Sequence, residues 1–241
     1  MHRWTAIITM AGEGSRFRAE GYDCPKYEIL ARGKTLFEWS MRSLEPFFPH
    51  IAQWVFVTRD ASARAFVEAQ SAALGLESVT IVSLPALTDG QATTVLEALS
   101  SVRDPEARLL VYNIDTHLQP GAVSPEQVRG EGWIPCFQAP GDHWSFVRMG
   151  EDRRALEVTE KVRISPNCSV GLYDFGSVAV FQDAYRRLYE EGRGSYKERY
   201  VAPLYQQMLD DGQAVFGSVM PFEAVVPLGT PAELRAFDPH A

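Results

Sequence analysis

Residues 10–26 read MAGEGSRFRAEGYDCPK and follow WTAIITM over residues 4–10, a short apolar run with the character of a buried strand. Gly12 and Gly14 open backbone angles closed to other residues and let a ligand lie against the main chain. Successive amides of such a turn, from Ala11 and Gly12 to Gly14 and Ser15, form a nest of positive potential suited to phosphate oxygens. Arg16 adds a planar, permanently charged fork that matches two phosphate oxygens at once. Lys26, set by Pro25, brings a point charge from the far side of the loop. A strand, a glycine turn and two cations predict a phosphate clamp.

Two commoner glycine motifs do not fit. G-E-G-S-R-F lacks the third glycine of the dinucleotide fingerprint, and no G-K-[ST] ending marks a P-loop. Alone, G-x-G marks only a tight turn.

Outward from the clamp, helix and strand signals alternate. Leu36, Phe37, Met41 and Leu44 form a helical stripe over 34–48. QWVFVT over 53–58 reads as a strand, and 60–74 as a helix with Asp60 or Ser62 at its start and Gly75 past its end. A strand at 80–84, a helix at 91–102 and a strand at 109–114 lead to Asp115. This βαβα order predicts a parallel sheet with helices on both faces. After Gly132 the segments 133–138, 144–149, 155–161 and 170–181 read as strands, and 182–191 and 197–211 as helices. The expected fold is α/β, a Rossmann-like mixed but mainly parallel sheet, with a substrate-binding extension in the second half. A chain of 241 residues, 46% hydrophobic, can bury one sizeable core. We therefore expect one domain over 1–241, with 1–130 as its nucleotide-binding half and 131–241 as its acceptor-binding half.

The formal net charge of -8 opposes nucleic-acid binding. Cations must be concentrated locally, and Arg16, Arg18 and Lys26 form the densest early cluster; Arg18 reads as a solvated side chain. Cys24, Cys136 and Cys168 are odd in number, far apart and without a CxxC pair. They read as reduced thiols of a cytoplasmic protein, not a disulfide frame or zinc site. No secretion signal opens the chain, and no stretch approaches the roughly 20 apolar residues of a membrane helix. A soluble protein without a membrane partner is expected; assembly into a homo-oligomer is left open.

Ligands of open α/β sheets bind outside the carboxyl ends of the strands. The glycine turn and Asp115 both follow strands, so both are expected at one edge. A carboxylate there either caps the next turn or holds Mg²⁺ against phosphate oxygens.

G-x-G-S-R-F followed by P-K resembles the signature of the sugar-phosphate nucleotidyltransferases, which join a nucleoside triphosphate to a sugar 1-phosphate. LTDGQATTVLEAL at 87–99 is similar to the family's base-reading loop and helix, with Gly90 letting the base lie on backbone and Gln91 a hydrogen-bonding side chain. TEKVRISPNCSVGLYDF at 159–175 resembles its sugar-phosphate segment. LGTPAELRAF at 228–237 matches its G-T-P turn. The resemblance implies Arg16, Lys26 and Asp115 as catalytic residues, Asp115 also as the Mg²⁺ ligand. It further implies Lys161 on the substrate phosphate, Glu160 on a sugar hydroxyl, and Asn167 and Gly171 lining the sugar pocket.

One departure stands out. Family members carry an aspartate two residues before G-T as a second metal ligand, whereas here the position is Pro227. Three outcomes are open: Asp115 alone holds the ion with phosphates and water, a nearby acid such as Glu223 substitutes, or activity is impaired; His117 is a weaker helper, since Mg²⁺ prefers oxygen.

The implied reaction passes a nucleoside monophosphate to a sugar 1-phosphate or similar phosphorylated acceptor and releases pyrophosphate, for polysaccharide, capsule or related biosynthesis. Two other readings are a glycosyltransferase using Asp115-Thr116-His117 as a poor D-x-D motif, and a nucleotide-binding protein that has lost catalysis through Pro227.

Overall fold

A computed structural model describes residues 3–60, 62–192 and 197–241. Its strands are β1 (Trp4–Thr9), β2 (Leu30–Ala31), β3 (Lys34–Thr35), β4 (Ile51–Thr58), β5 (Val79–Ser83), β6 (Arg108–Asn113) and β7 (Thr116–Leu118). β8 (Gly132–Gln138), β9 (Ser145–Met149), β10 (Ala155–Glu160), β11 (Asn167–Ser169), β12 (Leu172–Phe175), β13 (Val215–Met220) and β14 (Val225–Pro227) follow. The helices are α1 (Ser15–Ala19), α2 (Leu36–Arg42), α3 (Ala63–Ala73), α4 (Gln91–Ala98), α5 (Val178–Tyr185), α6 (Ala202–Asp210) and α7 (Pro231–Phe237).

One large sheet runs β10-β9-β11-β8-β12-β6-β1-β4-β5, with β13 paired to β8. β5, β4, β1 and β6 are mutually parallel. β12 joins antiparallel to β6, and β8 to β12. Rossmann-like, mixed α/β architecture is therefore present, with the second half continuing the same sheet.

Both faces of the central strands are buried, as covering helices require. Ile7, Val55, Val57, Leu109 and Val111 join Ala92, Val95 and Ala98 of α4, Phe181 of α5 and Leu204 of α6 in one core. Ala6, Ile8, Trp54, Phe56, Leu110 and Tyr112 point the other way, onto Phe37 and Met41 of α2 and Val67 of α3. A smaller cluster joins Phe17, Ile29, Leu36, Leu228 and Leu234. It fastens α1, which follows the glycine turn, to the G-T-P segment more than 200 residues away in sequence.

Local chemistry sets several boundaries differently from the expectation. The helix expected over 34–48 stops as α2 at Arg42 and continues as a 3₁₀ turn, Glu45–His50. Pro46 and Pro49 lie in that turn, and proline lacks the N–H that an α-helix needs. The strand expected over 170–181 is a correction: only Leu172–Phe175 is extended. Ser177 then caps α5 by accepting from the Val180 amide at 3.3 Å, so the helix expected over 182–191 begins earlier. The helix expected over 60–74, part of which lies outside the described residues, is α3. Its end is a glycine-terminated turn, with the Leu76 amide donating to the Ser71 carbonyl at 2.9 Å and Gly75 at φ 70°.

A buried ion pair crosses the sheet. Asp174 accepts from Trp4 Nε1 at 2.7 Å and from Arg108 Nε at 3.1 Å. Its side chain is 0% exposed and that of Arg108 11%. Asp174→Ala leaves the Arg108 charge buried without its carboxylate and should cost about 3–5 kcal/mol of stability. Urea denaturation measures this, and a loss under about 1 kcal/mol contradicts the account.

Candidate active site

The loops after β1 and β6 meet at one edge of the sheet, where a cleft of about 990 Å³ opens. One wall carries Thr9, Ala11, Gly12, Arg16 and Lys26, with residues 87–91 beside them. The other carries Ser145, Glu160, Gly171, Tyr173 and Tyr200, and Asp115 lines the same space. Of the residues singled out from sequence, Ala11, Gly12, Arg16, Lys26, Gly90, Gln91, Asp115, Glu160 and Gly171 line it.

A Cβ placed on Gly12 would meet no atom within 4 Å, so packing does not demand glycine there, and its bare backbone lines the cleft. Gly14 is left-handed at φ 62°, and its carbonyl starts α1 by accepting from the Phe17 and Arg18 amides at 3.0 and 3.1 Å. Gly14 and Ser15 shape the turn from behind and are not among the cleft walls. Phe17, 1% exposed, anchors α1 and leaves its neighbour Arg16 outward. Arg18 is exposed, as expected.

Lys26 opens a 3₁₀ turn after Pro25. Next to it Tyr27 is buried against Phe66, ring centroids 5.6 Å apart. The Lys26 Nζ lies 2.7 Å from Asp115 Oδ2, with both side chains partly buried. Asp115 is itself held by a turn in which the Tyr112 hydroxyl donates to the Thr116 carbonyl at 2.7 Å. The Leu228 amide donates to the Asp115 carbonyl at 2.8 Å. β14 pairs with β7, placing Pro227 opposite Thr116.

Gly90 lines the cleft and also meets a packing demand. At φ 155°, its missing Cβ makes room for the Arg199 backbone, which it would otherwise overlap. The Arg199 amide donates to the Asp89 carbonyl at 2.8 Å and the Ala92 amide to the Arg199 carbonyl at 2.9 Å. This lacing ties the 198–200 segment, from the second half, to the start of α4. Gln91 gives one amide hydrogen bond to Thr9 Oγ1 at 3.0 Å and another to Asn113 Oδ1. Gly171, at φ 80°, leaves space for the Asn113 side chain. Asn113 and Thr9 were missed from sequence; the N-I-D spacing before Asp115 was the available signal.

On the wall that carries Glu160, Ser145 Oγ donates to Glu160 Oε2. The Glu160 side chain is 8% exposed, and burial pushes its carboxyl above the usual carboxylate range, against the Ser145 bond and Lys161. Lys161 has φ 56°, a strained angle for a side-chain-bearing residue. Its Nζ donates to the Tyr200 hydroxyl and sits 4.3 Å from that ring's centre; the Tyr200 bond raises its pKa. Lys161 is thus beside the cleft rather than in its wall. Asn167 does not reach the cleft at all: its Nδ2 donates to the Val147 carbonyl at 3.2 Å, because β11 turns that side chain along the sheet.

His117 is buried, with Nδ1 2.8 Å from the Trp39 carbonyl, and burial lowers its pKa. It packs against Trp39, ring centroids 4.9 Å apart, and is absent from the cleft wall, which removes the D-x-D-like reading of Asp115-Thr116-His117. Glu223 lies in a 3₁₀ turn beside a separate surface hollow with Gln138 and Phe222. Glu233 of α7, by contrast, lines the cleft. Among the described residues no three His, Cys, Asp or Glu side chains group as a metal site. Among them, too, no helix is long and apolar enough to cross a membrane.

A glycine-floored cleft at the carboxyl edge of an α/β sheet, with a lysine–aspartate pair between two walls, defines a nucleotide-handling class. No protein-family model and no curated protein sequence matches the chain. Among solved structures it is similar to a nucleoside-diphosphate-sugar pyrophosphorylase from Vibrio cholerae RC9, with 33% identity, a TM-score of 0.87, and 96% of this chain and 98% of that one covered. An inositol-1-phosphate CTP transferase from T. maritima has 17% identity and a TM-score of 0.77, covering 97% of this chain and 92% of that one. A Bacillus anthracis protein described as a glucose-1-phosphate thymidylyltransferase has 15% identity and a TM-score of 0.75, covering 99% and 95%. The chain belongs to the sugar-phosphate nucleotidyltransferase family.

The raised pKa of Glu160 has a sign that can be checked. Its folded value exceeds its unfolded one, so ionisation opposes folding as pH rises through that window and has no effect where both forms are protonated. Glu160→Gln should therefore raise the melting temperature at pH 8, with the gain vanishing in acid below the carboxylate range. A gain that grows on acidification would refute burial as the cause.

Proposed function

We propose that this protein transfers a nucleoside monophosphate from a nucleoside triphosphate to a sugar 1-phosphate or similar phosphorylated acceptor, releasing pyrophosphate. The observation that carries this reading is the convergence of the glycine turn, Lys26, Asp115 and Glu160 on one cleft. In this reading residues 1–130 hold the nucleotide and 131–241 the acceptor.

The acceptor phosphate has a second pKa near about 6, so at neutral pH it is mostly the dianion and needs no general base. One of its oxygens attacks the α-phosphorus in line; the bond from that phosphorus to the β-phosphate oxygen breaks, and pyrophosphate leaves with the electron pair. The protein's part is alignment and charge compensation. We assign Gly12 and Arg16 to the departing pyrophosphate and Lys26 to the reacting phosphates. Lys161 is assigned to the acceptor phosphate, which requires it to leave Tyr200, and Glu160 to an acceptor hydroxyl. Gln91 and Gly90 face the base.

Asp115 is a hard oxygen donor at the cleft, which fits Mg²⁺. When bound, the ion would neutralise phosphate charge. A product of this type would serve nucleotide-sugar and thence polysaccharide or capsule synthesis, and the unpaired cysteines, two of them buried, suit the cytoplasm.

The test is magnesium-dependent pyrophosphate release across nucleoside triphosphates and phosphorylated acceptors. Arg16→Ala and Asp115→Asn should each lower turnover by about 10²-fold or more. Near-normal turnover in both would overturn the assignment.

A further inference from the structure

Asp115 and Glu233 converge on one small space, and Gly229 keeps that space open. A Cβ on Gly229 would lie 3.2 Å from Asp115 Oδ2 and 3.6 Å from Glu233 Oε2. Two carboxylate oxygens thus flank a gap that any side chain at 229 would fill. Like charges so placed repel unless a cation lies between or beside them. Asp115 has Lys26 Nζ at 2.7 Å. Glu233 makes no ion pair or side-chain hydrogen bond among the described residues.

Its position makes this orientation a choice. Thr230 caps α7 by accepting from the Glu233 amide at 3.2 Å. A glutamate three residues after such a cap commonly reaches back to the cap's own amide. The same chain does this elsewhere, where the Ser124 amide donates to Gln127 Oε1 at 3.1 Å. Glu233 instead faces the cleft. Meanwhile Pro227, opposite Thr116, offers no side-chain donor, and Glu223 lies beside another hollow.

We propose that Glu233 is the second carboxylate which, with Asp115, holds a divalent cation of the Mg²⁺ or Mn²⁺ kind against the nucleotide phosphates. This deepens the function proposed above and rests on it for the nucleotide. Two carboxylate oxygens form a partial hard-oxygen shell, and phosphate oxygens and water complete it. Lys26 occupies Asp115 before the ion arrives and is freed by it to face the phosphates.

The experiment titrates Mn²⁺ alone into the full chain, following loss of the free-ion electron paramagnetic resonance signal. Glu233→Gln and Asp115→Asn should each weaken binding by about tenfold or more, whereas Glu223→Gln should match wild type. Lys26→Met should tighten it. Adding Pro227→Asp to the Glu233→Gln chain should restore most of the lost affinity, which separates ligation from any disturbance of α7. Wild-type Mn²⁺ affinity in Glu233→Gln, or no Mn²⁺ binding by the wild-type chain at millimolar ion, overturns the proposal. Pyrophosphate release measured on the same samples keeps the two readings apart. Glu233-dependent Mn²⁺ binding without turnover on any triphosphate rejects nucleotidyl transfer alone. Turnover with Mn²⁺ affinity indifferent to Glu233 rejects this site alone.

Discussion

Parallel pairing of Trp4–Thr9 with a strand on each side is the constraint on which the rest depends. Ile7 faces one core and Ala6 and Ile8 the other, so a one-residue slip would turn the buried set of each face onto the wrong helices. Because β4 and β6 run parallel to β1, the loops following β1 and β6 leave at the same edge. That shared edge brings Gly12 and Asp115, about a hundred residues apart in sequence, to one cleft.

A second, smaller constraint ties the site together. Phe17, Leu228 and Leu234 share a buried cluster, so the turn that presents Arg16 and the helix that presents Glu233 rest on common apolar ground. The cleft wall is therefore set partly by packing behind it, by residues that do not line the cleft. Pairing of β14 with β7 does the same for Asp115, whose carbonyl is held by the Leu228 amide. In a chain of net charge -8, the cleft carries Arg16 and Lys26 among several acids, and Lys26 is neutralised by Asp115.

The family motifs were legible in the sequence because each depends on short-range chemistry: bare glycines, a proline before a lysine, a threonine cap before α7. The parallel strands of the first half were legible because both their faces are apolar. Less readable were the elements whose state depends on neighbours. Residues 170–181 look uniformly β-like, yet Ser177 caps a helix there, directly after Gly176, where a side chain would crowd Glu131. At Gly90 the sequence did not show the packing demand made by the Arg199 backbone, over a hundred residues downstream. Asn167 looked like a pocket residue, but β11 also pairs with β9, whose Val147 carbonyl takes its side chain.

The sequence by itself determined the strand–turn–cation order around Gly12 and Arg16, a property of residue type and local spacing, whereas the class of protein and the missing acid at Pro227 were readable only through the resemblance of several such motifs to a family. Only the tertiary structure decided which acid faces Asp115. Glu223 is the acid that the sequence suggested, but it lies at a surface hollow, whereas α7 carries Glu233 into the cleft.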